Sequence, residues 1–460
     1  MVAPDAQRLA SLSLQMSDIP NARNVLSAHI ETLDAKFHCL QAEYNYICSK
    51  TAAITTLPNE LLVLIFQEAR KSGDYPGRSV AQVSRHWREI ATRTPQLWTD
   101  IYIGNLEMAA LYMERSKALP FDVRVRIPPL YSEVETLGQL LIRHIARCRR
   151  LTIVFATSAG RKLFDFLRTA SAPLLVHIDI SCTIYTPFDV TTPARIFIGG
   201  SPMLQTLRII SFPWLLPPLQ SVTALYLFNI HPFSPEDLRS AFLTLRSLVT
   251  LEVVGEIATA WIAAEAVELP ALRTLKLTAE DDQDHADQFR GLYEAIEAPS
   301  LEFLSLRKFG DEDLDFLSDL MHTRPKFPAL RMLALFDADG IALHLGRLMG
   351  IFSQVETVVF DGDACLLLSI LHDKENEIIL PCTRKLTILH LVSSLHELAQ
   401  PIYNCITARI KAEMPISELV LPDRSTIEAM GVTALDGGPP LKDLVSLGIY
   451  DANSDSDSEV

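Results

Sequence analysis

The chain has 460 residues, 48% of them hydrophobic, with a net charge of −15 from 41 basic and 56 acidic side chains. So large an apolar fraction excludes a wholly disordered chain, and the length allows two or three domains, or one small module with a long repeat array. Residues 1–150 carry 18 Lys+Arg against 15 Asp+Glu, so the rest carries 23 against 41, a balance of −18. An acidic body repels phosphates and argues against a nucleic-acid surface.

The N-terminal segment MVAPDAQRLASLSLQM lacks the basic and apolar regions of a secretory signal, and no apolar run approaches the ~18–20 residues of a membrane span. The expectation is a cytoplasmic or nuclear protein that engages neither membrane nor nucleic acid. Cys39, Cys48, Cys148, Cys182, Cys365, Cys382 and Cys405 are scattered and never spaced C-x-x-C. That pattern predicts buried free thiols in a reducing compartment, not a disulfide framework or zinc site.

Residues 1–20 are expected to be loose. A helix is predicted over 21–54, capped at Asn21 or Asn24. Within it Leu26, Ile30, Leu33, Phe37, Leu40, Tyr44 and Ile47 alternate in steps of 4 and 3, placing all seven on one stripe. The stripe is expected to pack on the chain's own downstream domain or on a second copy.

Residues 55–103 read as three short helices. Thr55 or Thr56 caps the first, whose apolar face is Leu61, Leu62, Ile65 and Phe66. The loop KSGDYPG ends it. A second runs through Val80, Val83, Trp87 and Ile90, and Thr94-Pro95 ends that before Leu97-Trp98.

From about residue 148 the unit φ-x-x-φ-x-φ (φ apolar) recurs twelve times at about 27 residues. Copies include Leu204/Leu207/Ile209, Leu272/Leu275/Leu277, Leu386/Leu389/Leu391 and Leu444/Leu447/Ile449. Segments such as 234–247, 285–299 and 311–324 read as intervening helices. A proline precedes several strands: Pro202, Pro270, Pro299, Pro328 and Pro415. The pattern predicts a solenoid over 104–450, in which the middle residue of each φ-x-φ strand faces the concave side. Those residues are Arg208, Tyr226, Glu252, Lys276, Ser305, Ala334, Val359 and His390. The tail 451–460 is acidic and expected to be disordered, with Ser454, Ser456 and Ser458 among acids.

Residues 57–101 resemble the F-box, particularly its divergent fungal form. The resemblance rests on Leu57-Pro58-x-Glu60-Leu61-Leu62-x-x-Ile65-Phe66, Val83-Ser84-Arg85-x-Trp87-Arg88 and Leu97-Trp98. The stretch between Phe66 and Val83 departs from the usual pattern. The repeats resemble degenerate leucine-rich repeats, without the asparagine that usually follows the strand.

The resemblance implies the substrate-recognition subunit of a Skp/cullin/F-box ubiquitin ligase. Leu57, Pro58, Leu61, Leu62, Ile65, Phe66, Val83, Trp87, Leu97 and Trp98 would grip a Skp-type adaptor, and through it a cullin, or form the small core behind that surface. Arg208, Tyr226, Glu252, Lys276 and His390 would touch an unidentified target protein. A 45-residue module cannot bury so many large side chains within itself; either a partner completes the core, or the heptad helix or first repeat does.

Two other readings are a leucine-rich scaffold with a vestigial F-box and a hydrolase of unrecognised site. No G-x-S-x-G, H-E-x-x-H or G-x-x-x-x-G-K occurs, so no catalytic residue, cofactor or metal site is expected. The fold class expected is thus α/β: an N-terminal helix and a three-helix F-box, then a leucine-rich-repeat solenoid with a curved parallel sheet and helices on its convex face.

Overall fold

The computed structural model describes residues 3–51, 54, 57–69, 76–127, 133–156, 159–183, 194–211, 215–230, 235–255, 257, 266–279, 289–309, 317–319, 326–337, 347, 349, 351–362, 364–371, 380–389, 395–422 and 439–450. The chain forms two compact units, Met1–Trp98 and Thr99–Val460.

In the first unit, α1 spans Ala3–Thr51, including most of the stretch expected to be loose. The reason is compositional: Ala3, Ala6, Leu9, Ala10, Leu12, Leu14 and Met16 are strong helix formers. The heptad side chains from Leu26 to Ile47 are all exposed. Three shorter helices follow: α2 (Asn59–Ala69), α3 (Pro76–Val83) and α4 (Arg85–Arg93), then a 3-10 turn at Pro95–Trp98. The single helix expected through Val80 and Ile90 is broken at Ser84. Its backbone is extended and its hydroxyl accepts a hydrogen bond from the Trp87 N–H at 3.1 Å, capping α4. Thr55, Thr56 and most of the KSGDYPG loop lie outside the described residues.

The second unit is built on a parallel sheet of fourteen strands in sequence order. They are β1 (Asp100–Ile103), β2 (Phe121–Ile127), β3 (Cys148–Phe155), β4 (His177–Cys182), β5 (Thr206–Ile210), β6 (Ala224–Phe228) and β7 (Thr250–Val254). Then come β8 (Thr274–Thr278), β9 (Phe303–Arg307), β10 (Met332–Phe336), β11 (Thr357–Phe360), β12 (Lys385–Ile388), β13 (Glu418–Leu421) and β14 (Ser446–Ile449). The order and register are those of a solenoid-like repeat. Leu207, Leu225, Leu251, Leu275, Leu304 and Leu333 pair in one unbroken row, buried throughout. Each such leucine contributes about 1.5–3 kcal/mol through burial, which a lone unit could not collect.

Helices occupy several of the intervals: α5 (Leu106–Arg115), α6 (Val134–His144), α7 (Ala159–Leu167), α8 (Pro235–Phe242), α9 (Arg290–Ala295), α10 (Ala364–Leu371) and α11 (Leu395–Lys411). Most of the helix expected at 311–324 is outside the described residues, as is the tail 451–460.

The sheet begins at Asp100, inside the range assigned to the helical module and well before residue 148. In β1 and β2 apolar residues simply alternate (Ile101, Ile103; Phe121, Val123, Val125, Ile127), without the preceding φ-x-x-φ step. β12 is out of the expected phase: Leu386 and Ile388 are the inward pair, while Leu389 lies beyond the strand. Ser305, Ala334 and Val359 are not open to solvent; each is buried, as are Thr387 and Val420 on the strands that follow. Their small or apolar side chains suit a covered surface.

The prolines act as turn formers. Pro202, Pro270, Pro299 and Pro328 each take the second position of a turn closed by a hydrogen bond: Leu204 to Ser201, Leu272 to Leu269, Leu301 to Ala298, Leu330 to Phe327, at 3.1–3.2 Å. At the other end of the strands, Ser211, Asn229, Gly255, Lys308 and Asp337 adopt left-handed φ of 48–78°. From there the amides of Ser211, Asn229, Gly255 and Lys308 donate to the last carbonyl of the next strand.

Three buried or half-buried cations satisfy carbonyls left over between units. Lys326 Nζ donates to Tyr293 O and Glu294 O at 2.7 and 2.6 Å. Arg409 donates to Leu380 O at 2.8 Å, and Arg147 to Met113 O, Leu119 O and Lys117 O. Their charge strengthens these bonds relative to neutral donors.

The thiols divide. Cys148, Cys182 and Cys405 are buried, and burial pushes Cys405 up to about 11. Cys39, Cys48 and Cys382 are exposed, against the expectation of uniform burial.

Candidate functional site

In the helical module, Leu61 to Phe66 is apolar at six successive positions, more than one face of a helix can bury against one neighbour. The structure divides α2 accordingly. Leu62 and Phe66, one turn apart, enter the core with Val80, Ile90, Ala91, Leu97 and Trp98, all buried. The Phe66 and Trp87 rings sit 4.8 Å apart, tilted by 53°. Trp98 Nε1 donates to Ala91 O at 2.8 Å, so the largest core side chain is also hydrogen-bonded. Gly77 lies against that indole: a Cβ there would fall 2.9 Å from Leu97 O and 3.1 Å from the Trp98 ring.

The other side of α2 stays open. Leu61 is 45% exposed, Leu64 59% and Ile65 43%; Val83, at the end of α3, is 61% exposed. Pro58 is exposed, while Leu57 and Trp87 are half-buried. The ten residues singled out from sequence therefore separate. Leu62, Phe66, Leu97 and Trp98 form the module's own core and present no surface. Pro58, Leu61, Ile65 and Val83 present one, with Leu57 and Trp87 at its margin. Leu64 was missed, although its place in the six-residue apolar run was a usable signal.

On the sheet, the middle positions of β4 to β8 line up by register as Asp179, Arg208, Tyr226, Glu252 and Lys276. All five are partly exposed. Neighbouring strands lie ~4.8 Å apart, close enough for each side chain to feel the next. Lys276 Nζ stands 3.9 Å from Glu252 Oε2. The Arg208 guanidinium lies over the Phe228 ring at 5.1 Å, and its Nε has no hydrogen-bond acceptor among the described residues.

Burial raises the Asp179 carboxyl, with Arg208 pulling the other way. Burial and then Glu252 raise the Tyr226 hydroxyl, and burial lowers His177 at the edge of the row. Charge alternates along the ladder, with neutral Tyr226 between the two oppositely charged pairs, so little net field builds up there. Asp179 was not among the residues picked from sequence; its middle position in Ile178-x-Ile180 is the same signal that found Arg208. His390 is outside the described residues.

Among the described residues no cluster of His, Cys, Asp and Glu is arranged to hold a metal ion, and no helix is long and apolar enough to cross a membrane.

Fold and site together define a protein with two surfaces: a helical module whose apolar side chains are only half covered, and a repeat-built parallel sheet bearing a polar ladder. A family model described as F-box-like matches residues 54–104, so the chain carries an F-box-like domain there. No curated protein matches the chain. Among solved structures, a chain from the crystal structure of the yeast Rad7 and Elc1 complex is 14% identical, covering 92% of this chain and 98% of that one, with a TM-score of 0.34.

Proposed function

We propose that this protein is a substrate-recognition adaptor of a Skp/cullin/F-box ubiquitin ligase, with no catalysis of its own. The F-box-like domain would bind a Skp-type adaptor, which hangs from a cullin, and the repeat sheet, read as degenerate leucine-rich repeats, would hold a target protein. The observation that carries this reading is the open side of α2. Four large apolar side chains, Leu61, Leu64, Ile65 and Val83, remain exposed on a module whose own core is closed. Apolar side chains at such density gain free energy only when a partner covers them.

Pro58 and the margin residues Leu57 and Trp87 would extend that contact. The target would meet Arg208, Tyr226, Glu252 and Lys276, where the sheet face is still partly open. Holding target and ubiquitin-transfer machinery in one assembly supplies proximity, which is all the chemistry this reading asks of the chain.

Calorimetric titration with a Skp-type adaptor tests it. Wild type is expected to bind, and Leu61→Asp with Ile65→Asp to weaken binding by about 100-fold or more, since central apolar anchors each carry ~2 kcal/mol or more. Circular dichroism should show the double variant still folded. No binding by wild type would favour the scaffold reading with a vestigial F-box.

A further inference from the structure

The 4-3 spacing of apolar residues in α1 does not start at Leu26. It continues in phase back through Ile19, Met16, Leu12 and Leu9, broken only by Arg23. The seam thus has twelve positions from Leu9 to Ile47, eleven of them apolar, each of the eleven between 49% and 70% exposed. Of fourteen large apolar residues exposed on α1, only Leu14, Val25 and Tyr46 lie off the seam. Apolar residues placed for a globular surface would not hold one register for five heptads.

We propose that α1 pairs with α1 of a second copy of this chain as a two-stranded coiled coil. Three observations favour that occupant. First, a strict seven-residue repeat drifts about 20° per heptad on a straight helix, so over five heptads the stripe winds about 100° around α1. A domain surface cannot follow that path; a helix supercoiling with it can.

Second, the area suffices. Burying a side chain of this size removes roughly 60–120 Å² from water, so eleven per helix give about 1,300–2,600 Å² for a pair, within the range of stable interfaces. Third, the flanks are self-complementary. The charged residues beside the seam, among the described side chains, are Arg8, Asp34, Lys36 and Glu43, two of each sign, so two copies meet without net repulsion. Arg23, the one polar seam residue, fits the single polar position that selects a two-stranded state over larger bundles, at some cost in stability. Pro20 sits beside the seam, not in it; it deprives the Met16 carbonyl of its helical partner, so a bend is expected there without a change of phase.

The proposal does not rest on the adaptor reading. Its test is the mass of the full-length protein by analytical ultracentrifugation at micromolar concentration. Wild type is expected at twice the 51.3 kDa of one chain. Leu33→Asp with Leu40→Asp should raise the dimer dissociation constant by about 100-fold or more and return a monomer. The thermal melt of the sheet should not change, and Asn45→Asp, off the seam, should remain dimeric. A monomeric wild type, or a dimer indifferent to Leu33→Asp and Leu40→Asp, would overturn the proposal. Adaptor binding by calorimetry reports separately on α2, so one reading can fail while the other stands.

Discussion

Ser211 holds φ at 51°, in a region that costs an L-residue about 1–2 kcal/mol, because its amide must reach Phe228 O at 2.8 Å. The same corner is taken by Gly255 two strands later, where no Cβ is strained. Ser211→Gly is therefore expected to stabilise the protein by about 0.5–1 kcal/mol in urea unfolding, and Gly255→Ser to destabilise it by a similar amount. A destabilised Ser211→Gly would show that the hydroxyl, not the backbone, holds the turn. These corners were not legible in the sequence, because five different residue types fill them: the constraint is on the backbone, and side chains from Gly to Lys only tolerate it. Lys326 and Arg409 were hidden for the same kind of reason. A charged residue reads as surface until the structure shows the carbonyls it serves.

Helix α2 carries a buried face and an open face within eleven residues. Leu62→Ala empties a closed core and is expected to cost about 2–5 kcal/mol of unfolding free energy, whereas Leu61→Ala should change it by less than about 0.5 kcal/mol. Comparable losses from both would mean that the two faces are not distinct. Periodicity could not assign these faces, since every position from Leu61 to Phe66 is apolar.

The strands were legible wherever the inward pair alternates with a polar residue, as in Leu207-Arg208-Ile209 and Leu275-Lys276-Leu277. Reading failed at β12, where Leu386, Ile388, Leu389 and Leu391 satisfy two phases at once. It missed β1 and β2, which carry alternation without the preceding step. It also misplaced Ala334 and Val359, where period 2 gives the face but not whether that face is covered. The apolar character of those two positions, against the charged Arg208, Glu252 and Lys276, was the available hint.

At the scale of the whole molecule, net negative charge collects in the second unit, where acids outnumber bases, while the polar ladder from Asp179 to Lys276 alternates in sign. In the proposed account separate surfaces carry separate tasks: one helical face for a shared partner, one strand face for a target, one long seam for a second copy. The claim on which the functional account depends is that α2 is completed by another protein. Amide hydrogen exchange of the full chain, with and without a saturating Skp-type adaptor, tests it most directly. Slowed exchange confined to residues 57–93, with strands β1 to β14 unchanged, is the expected result. Unaltered exchange in α2 alongside new protection on the sheet would contradict the account.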